Sequence, residues 1–292
     1  RVLEVKWLKD NKTLLFNQTV NGYQNIFTIA ADGSEKETKR TSDNQNNRNI
    51  EVNSDRTKAI YHSGRDELKM MDLESFKSES VVEDEFWGFQ NTQAYFSPND
   101  EYLLYNAKRD FEQDIFIYHL ESKEILNLSK TGVSELAPYW SPDGKYIYYS
   151  TTQISPTYPR GSGNFDVFRL ALDRYEEPFK SDKFKELFDE NEDSDEPKEE
   201  NEETFDISIN TDRLMERAEA VGERFGNQFV RVVLQEGDKT MVLYTSNHDE
   251  GNTALYVTTY QPFERSKTSK IDGINQVQFI SVSNGKTYAI GR

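Results

Sequence analysis

The chain has 292 residues, a formal net charge of −17, 35% apolar and 13% aromatic residues, and no cysteine. The charge argues against nucleic acid as a partner, because phosphate contacts need clustered Lys and Arg, and the missing cysteines exclude disulfides, thiolate catalysis and Cys-ligated metal centres. No apolar run reaches the roughly 18 residues of a spanning helix, so no membrane partner is expected.

Taken in order, the chain repeats one phrase. Trp7-Leu8-Lys9-Asp10-Asn11-Lys12 precedes Thr13-Leu14-Leu15-Phe16, and Val52-Asn53-Ser54-Asp55-Arg56-Thr57-Lys58 precedes Ala59-Ile60-Tyr61. Phe96-Ser97-Pro98-Asn99-Asp100-Glu101 precedes Tyr102-Leu103-Leu104-Tyr105, and Trp140-Ser141-Pro142-Asp143-Gly144-Lys145 precedes Tyr146-Ile147-Tyr148-Tyr149. Each copy reads as an apolar anchor, a tight turn and a strand. Pro142 presets the early turn angle, Gly144 accepts the late positive one, and the aromatic, β-branched run that follows suits a packed strand. The four anchors stand 45, 44 and 44 residues apart. Weaker copies lie at 235–244 and 283–290.

A second strand signal follows each anchor, at Ile26-Phe27-Thr28-Ile29, Leu68-Lys69-Met70-Met71, Ile115-Phe116-Ile117-Tyr118, Val167-Phe168-Arg169-Leu170 and Leu255-Tyr256-Val257-Thr258. A turn such as Ala31-Asp32-Gly33-Ser34 and a short outer strand such as Ile125-Leu126-Asn127-Leu128 close the unit. Four strands per roughly 44 residues is the period of a propeller blade, and one such sheet cannot cover both its faces without stacking on its copies. The fold class expected is therefore all-β, a β-propeller of four-stranded blades. Blades are placed near 1–47, 48–90, 91–134, 135–209 and 222–273, with a partial sixth at 274–292. A solenoid or a β-sandwich is the alternative architecture.

Between the fourth and fifth units the anchor spacing stretches to about twice the period. Residues 154–163 read as a Pro/Gly loop. Residues 181–204 form an acidic low-complexity insertion, with eleven acidic residues and one Lys between Glu186 and Glu203. Such a tract is usually solvated, and a docking strip for a basic partner is the sharper alternative. Phe205-Asp206-Ile207-Ser208-Ile209 alternates like a strand. The next stretch, 211–221, reads as a short capped helix or an irregular crossing.

No catalytic constellation stands out. His62, His119 and His248 sit in different units without metal-ligand spacing, and there is no Gly-x-Ser-x-Gly elbow. Turn aspartates such as Asp10, Asp55, Asp143 and Asp238 suit bonding to their own backbone better than calcium. No catalytic residue, metal or cofactor is expected. Peptide-binding candidates come from loops at a channel mouth: Arg48, Arg109, Phe111, Tyr158 and Arg160.

The turn units resemble the repeats of TolB-like and tricorn-like propellers. The order Glu177-Pro178-Phe179-Lys180-Ser181-Asp182, acidic tract, then residues 205–218 resembles the propellers of tricorn-like serine peptidases, with Asp212-Arg213-Leu214 departing from that family's Gly-Ile pattern. The resemblance implies a non-catalytic segment admitting peptide or unfolded protein to a C-terminal peptidase core, accompanied by a PDZ module, beyond Arg292. It also implies an exported or periplasmic location, with the cytoplasm as alternative. A homo-oligomer is a further partner relation considered. The absence of a secretory signal before Arg1-Val2-Leu3-Glu4 is read as a start that has been cut away. A stand-alone TolB-like binding propeller and the propeller of a prolyl-oligopeptidase-type hydrolase are the alternatives.

Overall fold

The computed structural model describes residues 2–86, 93–110, 112–156, 164–175, 206–249, 251–275, 279–283 and 286–290. Their regular structure is all β, apart from one turn of 3-10 helix at Leu214–Arg217. Five four-stranded antiparallel sheets follow one another, each a meander whose spatial order equals its chain order. The first comprises β1 (Val2–Trp7), β2 (Thr13–Val20), β3 (Tyr23–Ala30) and β4 (Thr38–Lys39). The second comprises β5 (Asn47–Val52), β6 (Lys58–Ser63), β7 (Glu67–Asp72) and β8 (Ser78–Glu83). The third comprises β9 (Tyr95–Phe96), β10 (Tyr102–Arg109), β11 (Glu112–His119) and β12 (Ile125–Asn127). The fourth comprises β13 (Glu135–Trp140), β14 (Tyr146–Thr151), β15 (Asp166–Ala171) and β16 (Ala218–Ala220). The fifth comprises β17 (Gln228–Glu236), β18 (Lys239–Ser246), β19 (Ala254–Tyr260) and β20 (Lys267–Asn275), and β21 (Phe279–Ser283) pairs with β22 (Lys286–Ile290) as a hairpin. Repeated four-stranded meanders of this length are propeller blades. The fold class is all-β, of the propeller type.

The chain divides into two compact units, residues 1–140 with 149–163, and residues 141–148 with 164–292. In the first unit the period-two alternation of β6 explains the packing. Ala59 and Tyr61 join Leu8, Leu15 and Ile26 of the first sheet in one core. Ile60, one residue out of phase, joins Leu103, Tyr105 and Phe116 of the third sheet in another. The second sheet is thus apolar on both faces, which is why its strand reads as a continuous hydrophobic run. In the second unit Phe165 meets Phe229 with centroids 5.1 Å apart, and Tyr148 meets Tyr260 at 6.5 Å.

The repeated turn is the same object in four chemical dresses. The residue after each anchor donates its N–H five residues on: Leu8 to Thr13 O (2.9 Å), Asn53 to Lys58 O (3.0 Å), Ser97 to Tyr102 O and Ser141 to Tyr146 O (both 2.8 Å). The fourth turn residue is left-handed in every copy, with φ of 51° at Asn11, 56° at Arg56, 58° at Asp100 and 67° at Gly144. Side chains inside each turn collect further N–H groups, while Ser54 N reaches Asp100 in the turn of the third sheet (3.1 Å). Asn53 Oδ1 accepts from Thr57 and Lys58, Ser97 Oγ from Glu101 and Tyr102, Ser141 Oγ from Tyr146, and Asp10 Oδ1 from Lys12 and Thr13.

Two expectations need correction, and one left open is decided. Trp140 is buried, but Trp7 at the same position of the first sheet is 48% exposed, so the anchor is a strand end rather than an obligatory core residue. Residues 206–209 keep their alternation, with Ile207 buried, yet they form no strand. The fourth sheet closes instead with β16, beyond residue 209, and the stretch before it is the 3-10 turn rather than an α-helix. Here one arginine replaces a ladder. Arg217 donates from Nε to Ala171 O (3.0 Å), from Nη2 to Leu172 O (3.2 Å) and Asn210 O, and from Nη1 to Asp212 O (2.7 Å). Asn210 N bonds Leu172 O at 2.8 Å, so both roots of the insertion are tied together.

Candidate functional site

An antiparallel meander has two ends. The anchor turns and the third-to-fourth connections share the turn end, while the second-to-third hairpins and the links to the next sheet share the linker end. Arg48 lies near the start of β5 and Arg109 at the close of β10, so both stand at the linker end. Phe111, Tyr158 and Arg160 lie outside the described residues.

Arg48 pairs with His62 across β5 and β6, which puts both on the face shared with Ile60, toward the third sheet. Its Nη1 donates to Gly64 O (2.5 Å) and Asn46 O (3.4 Å), while Nε and Nη2 are buried without a partner. Burial lowers the guanidinium pKa, against the opposing effect of Glu4. Glu4 is itself occupied, accepting from Asn49 N (2.9 Å) and Ile50 N (2.7 Å). It thereby covers two amides exposed where the β5–β6 register slips between Arg48 and Glu51.

His62 is wholly buried, makes no hydrogen bond, and meets Phe86 edge-on at 4.8 Å. Burial first, and the neighbouring Arg48 charge second, push its pKa down to about 3. It is a neutral packing residue at physiological pH and not a base. Phe86 continues to Tyr105 (5.7 Å), which stacks on Phe116 (5.4 Å).

Arg109 is committed to structure on both faces. Its guanidinium grips Asp84 with two nitrogens, the Nη2–Oδ2 contact being 2.8 Å, and lies over the Phe116 ring at 4.5 Å. The hydrogen bond it donates to Asp84 is the leading cause that raises its pKa. Asp84 N and Phe86 N bond Asp66 O (2.8 Å) and Arg65 O (2.9 Å), and Lys108 N bonds Glu85 O (3.0 Å). Segment 84–86 therefore stitches the hairpin of the second sheet to β10. The structure brings Arg48 and Arg109 to one inter-sheet seam, with Arg48 part-exposed and Arg109 holding the seam shut.

Sequence reasoning missed Asp84, Phe86 and Tyr105, and treated His62 only as a stray histidine. The signal was there in the repeat. Asn17, His62, Asn106 and Ser150 recur at the anchor spacing near the close of each second strand, and all are buried, as is Thr245 in the fifth sheet.

Two Ser–His contacts occur among the described residues, His119 Nδ1 to Ser122 Oγ (2.8 Å) and His248 Nδ1 to Ser246 Oγ (2.7 Å). Each joins near neighbours in sequence through Nδ1, the nitrogen that a triad reserves for its acid. No group of three or more His, Cys, Asp or Glu suited to a metal occurs among the described residues. Among the same residues no helix is long and apolar enough to cross a membrane.

No protein-family model matches the chain, and no curated protein matches it in sequence. Solved structures do. The tricorn protease superposes with a TM-score of 0.64 at 16% identity, covering 99% of this chain and 29% of that chain. A prolyl endopeptidase gives 0.58 at 15%, covering 99% of this chain and 39% of that one. A putative TolB from Agrobacterium tumefaciens gives 0.52 at 13%, covering 92% and 80%. What is shared at such identities is the fold: a propeller region of the TolB-like, tricorn type.

Proposed function

We propose that the chain is the non-catalytic propeller of a tricorn-like serine peptidase, admitting or guiding peptides and unfolded protein to a peptidase core outside it. The observation that carries this reading is the pair of coverages against tricorn protease, nearly all of this chain against 29% of that one. The order of the 177–218 segment supports it. In this reading the linker end is the peptide-facing rim. Arg48 supplies the part-exposed cation and Arg109 positions the seam, and Phe111, Tyr158 and Arg160, outside the described residues, are proposed with them as peptide-binding. Downstream peptidase and PDZ modules, self-association and an exported location belong to the same proposal.

The test is to incubate the purified chain with fluorogenic peptides and with an unfolded protein carrying photo-crosslinking groups. The expected result is no hydrolysis, crosslinks near residues 48 and 109, and several-fold weaker capture by Arg48→Ala. Hydrolysis by the chain itself, or crosslinks confined to the turn end, would overturn it. One observation favours a second reading, a stand-alone TolB-like binding propeller: the chain covers 80% of the Agrobacterium protein. Stable, selective capture of one folded partner, with no response to unfolded peptide, would decide for it.

A further inference from the structure

The link from the first sheet to the second and the link from the third to the fourth are built alike. In the first, Thr41 Oγ1 accepts from Ile26 N (2.9 Å), and Asn47, the opening residue of β5, donates its Nδ2 back to Thr41 Oγ1 (3.2 Å) and Asp43 Oδ1 (2.7 Å). In the second, Ser129 Oγ accepts from Ile115 N (2.9 Å), and residue 135 opens β13. The spacing is identical, 41/43/47 against 129/131/135. Gln228, which opens β17, likewise donates its Nε2 to the link before it, at Glu223 O (2.5 Å) and Phe225 O (3.2 Å). In both amide copies the opening side chain is a donor.

Residue 135 is a glutamate, which can donate only when protonated. It is wholly buried. Its Oε1 touches Thr131 Oγ1 and lies 3.4 Å from Thr151 Oγ1, and its Oε2 has no partner. Thr131 Oγ1 in turn lies 3.5 Å from Val133 O and accepts from Val133 N at 3.3 Å. The titratable groups facing the carboxyl are Asp114 on β11 and Tyr149 on β14, and neither brings a positive charge.

We propose that Glu135 is a proton-operated clasp, which when protonated donates to Thr131 and fastens the link between the third and fourth sheets, and when ionised lets that link go. In the protonated state Oε1–H points to Thr131 Oγ1, freeing the threonine proton for Val133 O, and Oε2 is a neutral carbonyl oxygen. In the ionised state the hydroxyls of Thr131, Thr151 and Ser129 must turn inward, Val133 O loses its donor, and a carboxylate stays buried with no cation beside it,. Burial, with Asp114 adding to it against the hydroxyls, raises the carboxyl pKa to about 7, so the clasp works near neutrality. The sign follows. The folded value lies above the unfolded one, so the stabilisation is complete below the ordinary Glu range and is lost as pH rises through about 7,.

The test compares urea unfolding of the whole chain and of Glu135→Gln, which installs the amide of the sibling positions, from about pH 4.5 to 8.5. Between those limits the wild-type folding constant should fall relative to the variant by up to tenfold per pH unit, about a hundredfold in all. Curves that stay parallel would overturn the proposal. Amide exchange at residues 129–135 should quicken with pH beyond its chemical rate in the wild type, and not in Glu135→Gln. Should that variant fail to fold, selective ¹³C labelling of glutamate carboxyls in the wild type decides. One resonance titrating near neutrality supports the clasp, and none rejects it.

Discussion

The two ends of the sheets are built on different principles. At the turn end four dissimilar sequences converge on one geometry, because each turn satisfies most of its backbone from within: a donor five residues from its acceptor, a left-handed fourth residue, and side chains that collect spare N–H groups, with Ser54 N, which reaches Asp100 of the next sheet's turn, as an exception. At the linker end short-range bonds such as Asn47 to Asp43 are joined by contacts that reach much farther along the chain. Asp84 needs Arg109, 25 residues away, and His62 needs Phe86 for its surroundings. Local satisfaction tolerates sequence change, whereas tertiary satisfaction depends on each partner.

Single substitutions should expose that contrast. Phe86→Ala, at the linker end, removes a wholly buried ring from the core between the second and third sheets and should cost about 3–5 kcal/mol, read by urea unfolding at unchanged m-value. Next in size is an acid effect. The folded pKa of His62 lies below its unfolded value near 6.5, so its contribution is intact above about pH 6.5 and is lost as pH falls toward 3,. His62→Leu should flatten the acid limb of the stability curve, and an unaltered limb would contradict its burial as a neutral ring. Because Glu135 acts in the opposite direction, the two slopes cancel where their windows overlap, and the pair together should give a plateau in mildly acidic solution,.

At the turn end the same measurements should give less. Ser141→Ala removes one acceptor of the Tyr146 N–H and should cost about 1 kcal/mol, with Ser97→Ala similar. Gly144→Ala puts a side chain at φ 67° and should also cost about 1 kcal/mol,. Gly144→Asn should cost only a few tenths, since Asn11 already holds that conformation in the first turn,. If Ser141→Ala proved as damaging as Phe86→Ala, the distinction between the two ends would fail.

This contrast also explains what could be read in the sequence. The sheets were legible because each anchor ends a first strand, at Trp7, Val52, Phe96 and Trp140, and the turn after it announces itself in contiguous residues. Arg48 and Arg109 were legible as loop residues, but neither the end of the sheet they occupy nor their roles were. The grip on Asp84 and the burial beside His62 join residues separated by a full hairpin or more. Residues 206–209 misled for a related reason: alternation reports which side chains face the core, and Ile207 does face it, but pairing is a property of neighbours. The clasp at Glu135 could be found only by aligning links rather than strands, since its meaning lies in the amides at Asn47 and Gln228.

The four carbonyl oxygens gathered by Arg217 carry a last implication. Arg217 ties together the two roots at Ala171, Leu172 and Asn210 whatever the length of chain between them. Doubling that length adds only about 0.6 kcal/mol of closure entropy. The position is thus a natural port: cargo spliced between the roots, or a protease nick there, should leave β15 and β16 paired and the blade standing.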